Sequence, residues 1–281
     1  MASYNDLLRQ GAEMLSPLEE RYGDPLFEAK ELLAFLAGSS VSLHTEAVPA
    51  DVENRYFSLI ERRLSGEPLQ YLIGEWDFYG LTFSVGEGVL IPRADTELIV
   101  ELALKLYKNS DSIKVLDLCA GSGCIGLALE MNMKNRIGLT FIEKSEAAFE
   151  YLKRNMERTR SKGIALKGDV LDEALSAQFC DYDLIVCNPP YLTSEDMEQL
   201  QEEVTHEPPE ALFGGDDGLD LYRGITRLWK TALKPGGALI YETGWTQAGE
   251  VTEIMIQHGF RDVRRHLDAE GRGRAVCGFK R

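Results

Sequence analysis

A polar corner follows an apolar run in the second half of the chain, where Leu184–Cys187 leads into Asn188-Pro189-Pro190-Tyr191. Four consecutive apolar residues predict a strand that is buried on both faces. The two prolines fix φ and carry no N–H, so nearby carbonyl oxygens can accept hydrogen bonds from a ligand. A Pro-Pro pair also ends strands, so taken alone the corner is either a strand terminator or a binding site.

A glycine-rich segment supplies a second candidate site. It begins at Asp117 and contains the spacing G-x-G-x-x-G at Gly121, Gly123 and Gly126, which lets the backbone approach a bound ligand closely. Glu143 follows the next predicted strand, about 20 residues on, where an acidic residue typically accepts from a ribose diol. Together these features predict a site for an adenosine-containing cofactor.

Acidic side chains indicate which cofactor this site binds. Asp117 stands directly before the glycines, where a carboxylate repels a pyrophosphate and attracts an ammonium or sulfonium group. S-adenosylmethionine carries both cations. Asp169 follows the third predicted strand and can accept from the adenine amino group. The acidic residues at three successive strand ends therefore favour S-adenosylmethionine over NAD.

A methyl donor at this edge gives the Asn188 corner a chemical role. A planar –NH₂ group is a poor nucleophile because its lone pair is delocalised. The side-chain carbonyl of Asn188 and the backbone carbonyl of Pro189 can accept both of its hydrogens, and Tyr191 can pack on its flat face. Methyl transfer would then depend on orientation and electrostatics, without a strong base.

Alternating strands and helices position these segments. The pattern predicts a mostly parallel, doubly wound sheet with an antiparallel hairpin at its edge. The predicted strands are 114–118, 139–142, 164–166, 184–187, 238–241, 263–267 and 275–279. The predicted helices are 98–107, 125–131, 147–160, 219–233 and 247–258. Ligands bind such sheets at the carboxyl ends of the strands, so the candidate residues are expected at one edge.

The first part of the chain has a different pattern. Apolar residues recur at helical spacing and predict a helical N-terminal domain over residues 1–73, with a role in substrate docking. Alternating apolar positions then predict a β-hairpin linker over 74–92, and the methyltransferase domain covers 93–281.

The junction between hairpin and domain, Arg93–Glu97, leads into a helix, with Asp95 or Thr96 as its predicted N-cap. Its charged side chains either tether that helix or line a cleft.

Composition excludes several classes of partner. The 281 residues carry a formal charge of −16, which disfavours a stable complex with nucleic acid. The five cysteines form no CxxC pair, which predicts reduced thiols and no metal site.

No apolar run approaches membrane-spanning length and the N-terminus has no apolar leader, so a cytoplasmic protein without a membrane partner is expected. We expect a monomer.

Taken together, these motifs resemble those of the HemK/PrmC family, S-adenosylmethionine-dependent protein-(glutamine-N5) methyltransferases that act on class-1 peptide chain release factors. The resemblance covers essentially the whole chain and includes Ile91–Glu97, His206-Glu207-Pro208-Pro209 and the acidic-glycine turn Tyr241–Trp245. It implies a class I methyltransferase fold: a Rossmann-like α/β domain with a seven-stranded, mostly parallel sheet and a C-terminal antiparallel hairpin, plus a small all-α N-terminal domain.

The resemblance also implies roles for individual residues: the glycine loop, Glu143 and Asn188 bind the cofactor, and the Asn188 corner holds the glutamine amide of a Gly-Gly-Gln loop. With the reasoning above, the candidate cofactor residues are Asp117, Cys119, Ala120, Gly121, Ser122, Gly123, Glu143, Asp169, Val170 and Asn188. The candidate substrate residues are Asn188, Pro189, Pro190, Tyr191, Arg93 and Glu97, of which Asn188, Pro189 and Tyr191 are the candidate catalytic residues.

Three residues depart from the family pattern. Cys119 replaces a frequent glycine, which is tolerable if its φ stays negative, and Glu143 replaces a frequent aspartate. Val170 stands where some members carry an aromatic residue over the adenine.

Several alternatives remain open. The same corner occurs in adenine-N6 DNA methyltransferases and in a glutamine methyltransferase of a ribosomal protein. A non-catalytic cofactor-binding module and a nicotinamide oxidoreductase are disfavoured by the intact corner and by Asp117, respectively.

Overall fold

The computed structural model describes residues 3–38, 48–134 and 137–281. Parts of the predicted N-terminal domain, residues 1–2 and 39–47, lie outside the described residues. The chain divides into two compact units: unit 1 comprises residues 1–75 and 201–206, and unit 2 comprises residues 76–200 and 207–281.

Unit 1 is helical, as the apolar spacing predicts. Its helices are α1 Tyr4–Leu15, α2 Glu19–Tyr22, α3 Pro25–Ala37, α4 Ala50–Leu64 and α5 Leu69–Ile73. Residues 16–18 and 202–206 form 3₁₀ turns. Helix α3 begins where the Asp24 side chain accepts from the Leu26 N–H, with proline at the first helical position.

An ion pair is buried among these helices. Arg63 is 1% exposed, and its guanidinium donates to both carboxylate oxygens of Glu28 at 2.8 and 2.9 Å. Such a pair is stable only when both charges are satisfied, so it ties α3 to α4.

Unit 2 contains the predicted seven-stranded sheet. Its strands are β3 Ile113–Leu118, β4 Ile137–Glu143, β5 Ile164–Lys167, β6 Tyr182–Cys187, β7 Leu233–Glu242, β8 Phe260–Leu267 and β9 Gly273–Lys280. The order is β5-β4-β3-β6-β7-β9-β8, in which β9 is antiparallel to both of its neighbours and the remaining pairs are parallel. The predicted doubly wound sheet with an antiparallel edge is confirmed, and each predicted strand lies within an observed one.

Helices cover both faces of this sheet. They are α6 Glu97–Leu106, α7 Cys124–Asn132, α8 Glu146–Thr159, α9 Glu173–Ser176, α10 Ser194–Glu198, α11 Asp220–Trp229 and α12 Ala248–Gln257. The helix predicted over 219–233 ends early, because residues 230–232 form a 3₁₀ turn and β7 begins at Leu233.

The central strand β6 is buried on both faces, as its apolar run predicts. Leu184 and Val186 pack into the core formed with α6, α7 and α8, whereas Ile185 and Cys187 pack into the core formed with α11 and α12. The predicted hairpin is a two-stranded sheet of β1 Glu75–Phe78 and β2 Leu81–Ser84, and Phe78 and Phe83 pack into the first of these cores. The corner after Cys187 therefore stands on a strand with little freedom to move.

Among the described residues, no helix is long and apolar enough to cross a membrane.

Candidate active site

Most of the predicted site residues meet around one cavity of unit 2, at the carboxyl ends of β3, β4 and β6. The cavity has a volume of about 890 Å³. Its walls include the predicted residues Arg93, Cys119, Ala120, Gly121, Ser122, Glu143, Asp169, Val170, Asn188 and Pro190. The predicted residues that do not line it are Glu97, Asp117, Gly123, Pro189 and Tyr191.

Two glycines of the loop have distinct structural requirements. Gly121 has a φ of +55°, and a Cβ there would meet nothing within 4 Å, so the backbone presents an open face. A Cβ at Gly126 would lie 2.5 Å from Cε1 of Phe141 and 2.9 Å from Oδ2 of Asp117. The first glycine leaves room for a ligand, and the second lets α7 pack directly against the sheet.

Cys119 corrects one expectation. Its φ is +56°, in the left-handed region, whereas a cysteine in place of the family's glycine was expected to be tolerable only with a negative φ. A residue with a Cβ in this conformation costs roughly 1–2 kcal/mol relative to glycine. The neighbouring thiol of Cys187 is buried, and burial together with a hydrogen bond to Cys119 raises the pKa of Cys187.

Asp117 is buried beneath the glycine loop. Its side chain is 0% exposed, and Oδ2 accepts a 2.9 Å hydrogen bond from the N–H of Gly126. Oδ1 has no hydrogen-bond partner among the described residues. Burial raises the pKa of Asp117 to about 8, the Gly126 N–H lowers it, and the charge of Glu143 raises it further. With one N–H donor and the neighbouring charge of Glu143, the charged form of this carboxyl is poorly stabilised by its protein surroundings.

Glu143 ends β4 and faces the cavity. Its Oε2 accepts from the N–H of Gly121 at 2.7 Å and its Oε1 accepts from the N–H of Ser145 at 2.7 Å. Burial raises the pKa of Glu143, and these backbone donors lower it. The two bonds hold the carboxylate in one orientation, and each oxygen keeps a second lone pair for a hydroxyl donor.

Asp169 and Val170 follow β5 and form another part of the wall. Asp169 Oδ1 accepts from the N–H of Leu171 at 2.9 Å, and Oδ2 pairs with Lys144 Nζ at 2.8 Å. Partial burial alone would raise the pKa of Asp169, but the hydrogen bond from Lys144 lowers it, and the pKa lies below its usual value. The carbonyl of Val170 accepts from the Trp229 indole at 2.7 Å, which fixes the backbone at this position.

The Asn188 corner is held from two sides. The Asn188 Nδ2 donates to Thr96 Oγ1 at 3.4 Å, and the carbonyl of Tyr191 accepts from Gln247 Nε2 at 2.9 Å. Pro189 is buried, and Tyr191 packs partly buried against the α11–α12 core. Burial raises the pKa of Tyr191, so its hydroxyl stays protonated at neutral pH.

The junction segment supplies two cavity residues, Arg93 and Thr96, and one tether, Glu97. The guanidinium of Arg93 pairs with the buried carboxylate of Glu207, which also accepts from the N–H of Ile91 at 3.0 Å. Glu97 lies outside the cavity wall, and its Oε1 accepts from the N–H of Tyr79 at 2.8 Å. A role for Glu97 in substrate binding therefore stays a prediction.

Two residues of this site, Glu207 and Thr96, make contacts that the sequence did not predict. Glu207 was part of a recognised motif, but its partners lie more than a hundred positions away. Thr96 was expected as a helix cap; it stands at the N-cap of α6, yet its side chain makes no capping bond. Its hydroxyl faces Asn188 instead.

Among the described residues, no group of three or more His, Cys, Asp or Glu side chains could hold a metal ion.

Two family models match the chain. The PrmC N-terminal domain matches residues 6–74, and the methyltransferase small domain matches residues 95–216.

Curated relatives match over most of the chain. The release factor glutamine methyltransferase of Streptomyces coelicolor is 39% identical over 262 residues, covering 91% of this chain and 91% of that protein. The protein of the same name from Thermodesulfovibrio yellowstonii is 38% identical, covering 89% of this chain and 90% of that protein. The one from Geobacter sulfurreducens is 41% identical, covering 78% and 76%.

Solved structures share the fold. The catalytic domain of human Mettl16, solved with an RNA hairpin, has a TM-score of 0.57 at 15% identity and covers 81% of each chain. A methyltransferase from Pyrococcus furiosus has a TM-score of 0.54 at 19% identity, covering 78% of this chain and 96% of that chain. These likenesses confirm the predicted class I methyltransferase fold, and the matched families confirm an enzyme that uses S-adenosylmethionine. The chain belongs to the release factor glutamine methyltransferase family, as its motifs predicted.

Proposed function

We propose that this enzyme transfers the methyl group of S-adenosylmethionine to the side-chain amide nitrogen, N5, of the glutamine in the Gly-Gly-Gln motif of class-1 peptide chain release factors. The observation that carries the proposal is the placement of Asn188 and Pro190 on the wall of the cavity that the glycine loop also lines. The names and coverage of the curated relatives support the release factor as the substrate.

The cavity suits this cofactor in size and in chemistry. Its volume of about 890 Å³ lies within the range of small-molecule sites, about 300–1,000 Å³. The unpartnered Oδ1 of Asp117 offers a buried acceptor for a cation. Glu143 is oriented to accept from the ribose hydroxyls, Asp169 can accept from the adenine amino group, and Gly121 leaves space for close approach.

The chain's own residues prepare the acceptor nitrogen. The Asn188 Oδ1 and the Pro189 carbonyl accept the two hydrogens of the substrate amide, and Tyr191 supports the corner. This arrangement orients the nitrogen and favours the charge that develops on it, without a strong base. Bound S-adenosylmethionine supplies an electrophilic methyl group: the amide nitrogen's lone pair forms the new N–C bond, the C–S pair stays on sulfur, and one N–H proton leaves to water. The guanidinium of Arg93, on the cavity wall, donates to a backbone carbonyl or an acidic group of the substrate, and Glu97 is a further substrate contact.

Each of the three segments of the chain has a role in the proposed function. Residues 1–73 dock the release factor, the hairpin at 74–92 joins them to the catalytic part, and residues 93–281 perform the transfer. The acidic net charge of −16 supports a protein substrate and disfavours nucleic acid. The enzyme acts as a monomer in the cytoplasm, where release factors function.

A labelling experiment tests the proposal. The enzyme is incubated with methyl-labelled S-adenosylmethionine and, separately, a release factor, the same release factor with alanine in place of the motif glutamine, ribosomal protein and DNA. Only the unaltered release factor is expected to carry label. Label in the ribosomal protein or in DNA, with none in the release factor, would refute the proposed substrate.

The Asn188→Ala variant tests the mechanism. Loss of one positioned acceptor is expected to lower kcat on the order of 10²-fold or more while the fold is kept. Asn109→Ala, the same change at an exposed residue in the turn after α6, is the matched control and is expected to react like the wild type. Wild-type labelling by the Asn188 variant would contradict the mechanism.

A further inference from the structure

We propose that Thr96 and Glu242 are positioning residues that set the orientation of the Asn188 side-chain amide, so that its oxygen faces the substrate. This inference rests on the proposed role of Asn188 as an acceptor for the substrate amide. Glu242 ends β7, in the acidic-glycine turn that the sequence singles out, and the proposed function gives it no other task.

Polar contacts link the three side chains. Asn188 Nδ2 donates to Thr96 Oγ1 at 3.4 Å, and the Thr96 hydroxyl lies close enough to the carboxylate of Glu242 to lower its pKa. Thr96 lines the cavity wall and is 2% exposed, and Glu242 lies behind it at 1% exposed. The first bond is long, as catalytic hydrogen bonds often are before substrate binds.

The direction of these bonds determines which end of the amide faces the substrate. The oxygen and the NH₂ group of an asparagine are almost equal in size, so packing alone does not distinguish the two orientations. A carboxylate only accepts, so the single hydrogen of the Thr96 hydroxyl goes to Glu242. The Thr96 oxygen is then left to accept from Asn188 Nδ2. Asn188 Oδ1 consequently points away from Thr96, free to accept a hydrogen from the substrate.

The burial of Glu242 supports a functional reason for its presence. Its Oε2 has no hydrogen-bond partner among the described residues, and leaving such a group buried costs roughly 1–3 kcal/mol or more. A glutamine or an apolar residue would avoid the burial of a charge. Only an obligate acceptor, however, forces the Thr96 hydrogen to point away from Asn188.

The surroundings of Glu242 make this arrangement sensitive to pH. Burial raises the pKa of Glu242 to about 7, the Thr96 hydroxyl and Arg274 lower it, Asp95 raises it, and Arg93 lowers it. The other titratable groups that face it are Tyr191, Tyr222 and Cys124. Below its pKa the protonated carboxyl can donate to Thr96, which frees the Thr96 hydrogen for Asn188 Oδ1. The amide then turns round and presents two donors to a substrate that needs an acceptor.

Steady-state kinetics of three variants test the inference. Thr96→Val keeps the volume but removes the hydroxyl, and kcat is expected to fall roughly 10- to 100-fold with little change in KM for S-adenosylmethionine. Thr96→Ser restores the hydroxyl and is expected to keep most of the activity. In the wild type, kcat is expected to rise as the pH increases through about 7, because Glu242 then ionises. In Glu242→Gln, kcat is expected to be lower than in the wild type above pH 7 and to show no such rise.

Thr226→Val provides a matched control. Thr226 is also fully buried, and its hydroxyl pairs with that of Tyr241 at 3.0 Å, away from the cavity wall. This variant is expected to lose stability and keep kcat. Equal losses of kcat in the Thr96→Val and Thr226→Val variants would overturn the inference, as would a Thr96→Ser variant no better than Thr96→Val.

The inference and the proposed function fail in different ways. If Asn188→Ala is inactive but Thr96→Val matches the wild type at every pH, the positioning role is refuted and the proposed function stands. If Asn188→Ala itself retains wild-type activity, both are refuted.

Discussion

The buried carboxyl of Asp117 imposes a cost on folding that can be worked out from its surroundings. Burial raises the pKa of Asp117 to about 8, from 3.8 in an exposed carboxyl. At pH 7 the folded protein holds a proton there, whereas the unfolded chain has released it. One pKa unit corresponds to about 1.4 kcal/mol, so this mismatch lowers the free energy of unfolding by about 4 kcal/mol at pH 7.

The sign follows from the proton count. Below about pH 4 both states are protonated and the cost vanishes. Between about pH 4 and pH 8 unfolding releases a proton, so the contribution of Asp117 becomes more destabilising as the pH rises. Above about pH 8 both states are ionised and the full penalty remains.

Asp117→Asn removes this titration and keeps the acceptor for the Gly126 N–H. The variant is expected to gain stability over the wild type by about 1.4 kcal/mol for each pH unit between about pH 5 and pH 8. Any fixed cost of burying the amide shifts all values equally and leaves this slope unchanged. The variant is also expected to bind S-adenosylmethionine more weakly, because a cation bound beside the glycine loop favours the ionised form of Asp117, and an asparagine cannot ionise.

Urea denaturation followed by tryptophan fluorescence measures this slope. All three tryptophans, Trp76, Trp229 and Trp245, lie in unit 2 with Asp117, so the signal reports on the correct unit. Cofactor affinity is measured by calorimetry. A stability difference that does not change with pH would refute the raised pKa, and unchanged affinity would refute the cation assignment.

Two further predictions concern packing. Gly126→Ala is expected to lower the free energy of unfolding of unit 2 by roughly 1–3 kcal/mol, because its Cβ would lie 2.5 Å from Cε1 of Phe141. Gly249→Ala in helix α12 is the control: its Cβ would meet nothing within 4 Å, so it is expected to raise the free energy of unfolding by about 0.4–1 kcal/mol. The same urea denaturation measures both. Glu28→Gln removes the carboxylate that accepts two hydrogen bonds from the buried guanidinium of Arg63, which keeps a longer contact with Glu203 at 3.4 Å; the change is expected to cost about 1.5–3 kcal/mol, measured by the loss of helical circular dichroism. Equal stability of the two glycine variants, or an unaffected Glu28 variant, would contradict the packing that the structure shows.

The sequence alone predicted the elements that carry the site. The apolar run Leu184–Cys187 predicts a strand buried on both faces, and the spacing of glycines after Asp117 predicts a tight turn into a helix. These signals are local, because burial of a strand and the φ angle of a glycine are imposed within a few residues. The glycine loop, Glu143 and Asn188 were expected at the same edge of the sheet because ligands bind parallel sheets at the carboxyl ends of the strands.

The tertiary structure decided which side chains orient these residues. Glu207 holds Arg93, and Glu242 reaches Asn188 through Thr96, across separations in sequence that no periodic pattern records. Each of these contacts depends on how strands and loops from distant parts of the chain pack together, so the residue types were visible in the sequence but their partners were not. The Asn188 corner itself was predicted from the four consecutive residues Asn188–Tyr191. In our proposal, the direction in which its amide points depends on Glu242, a buried carboxyl more than fifty residues further along the chain.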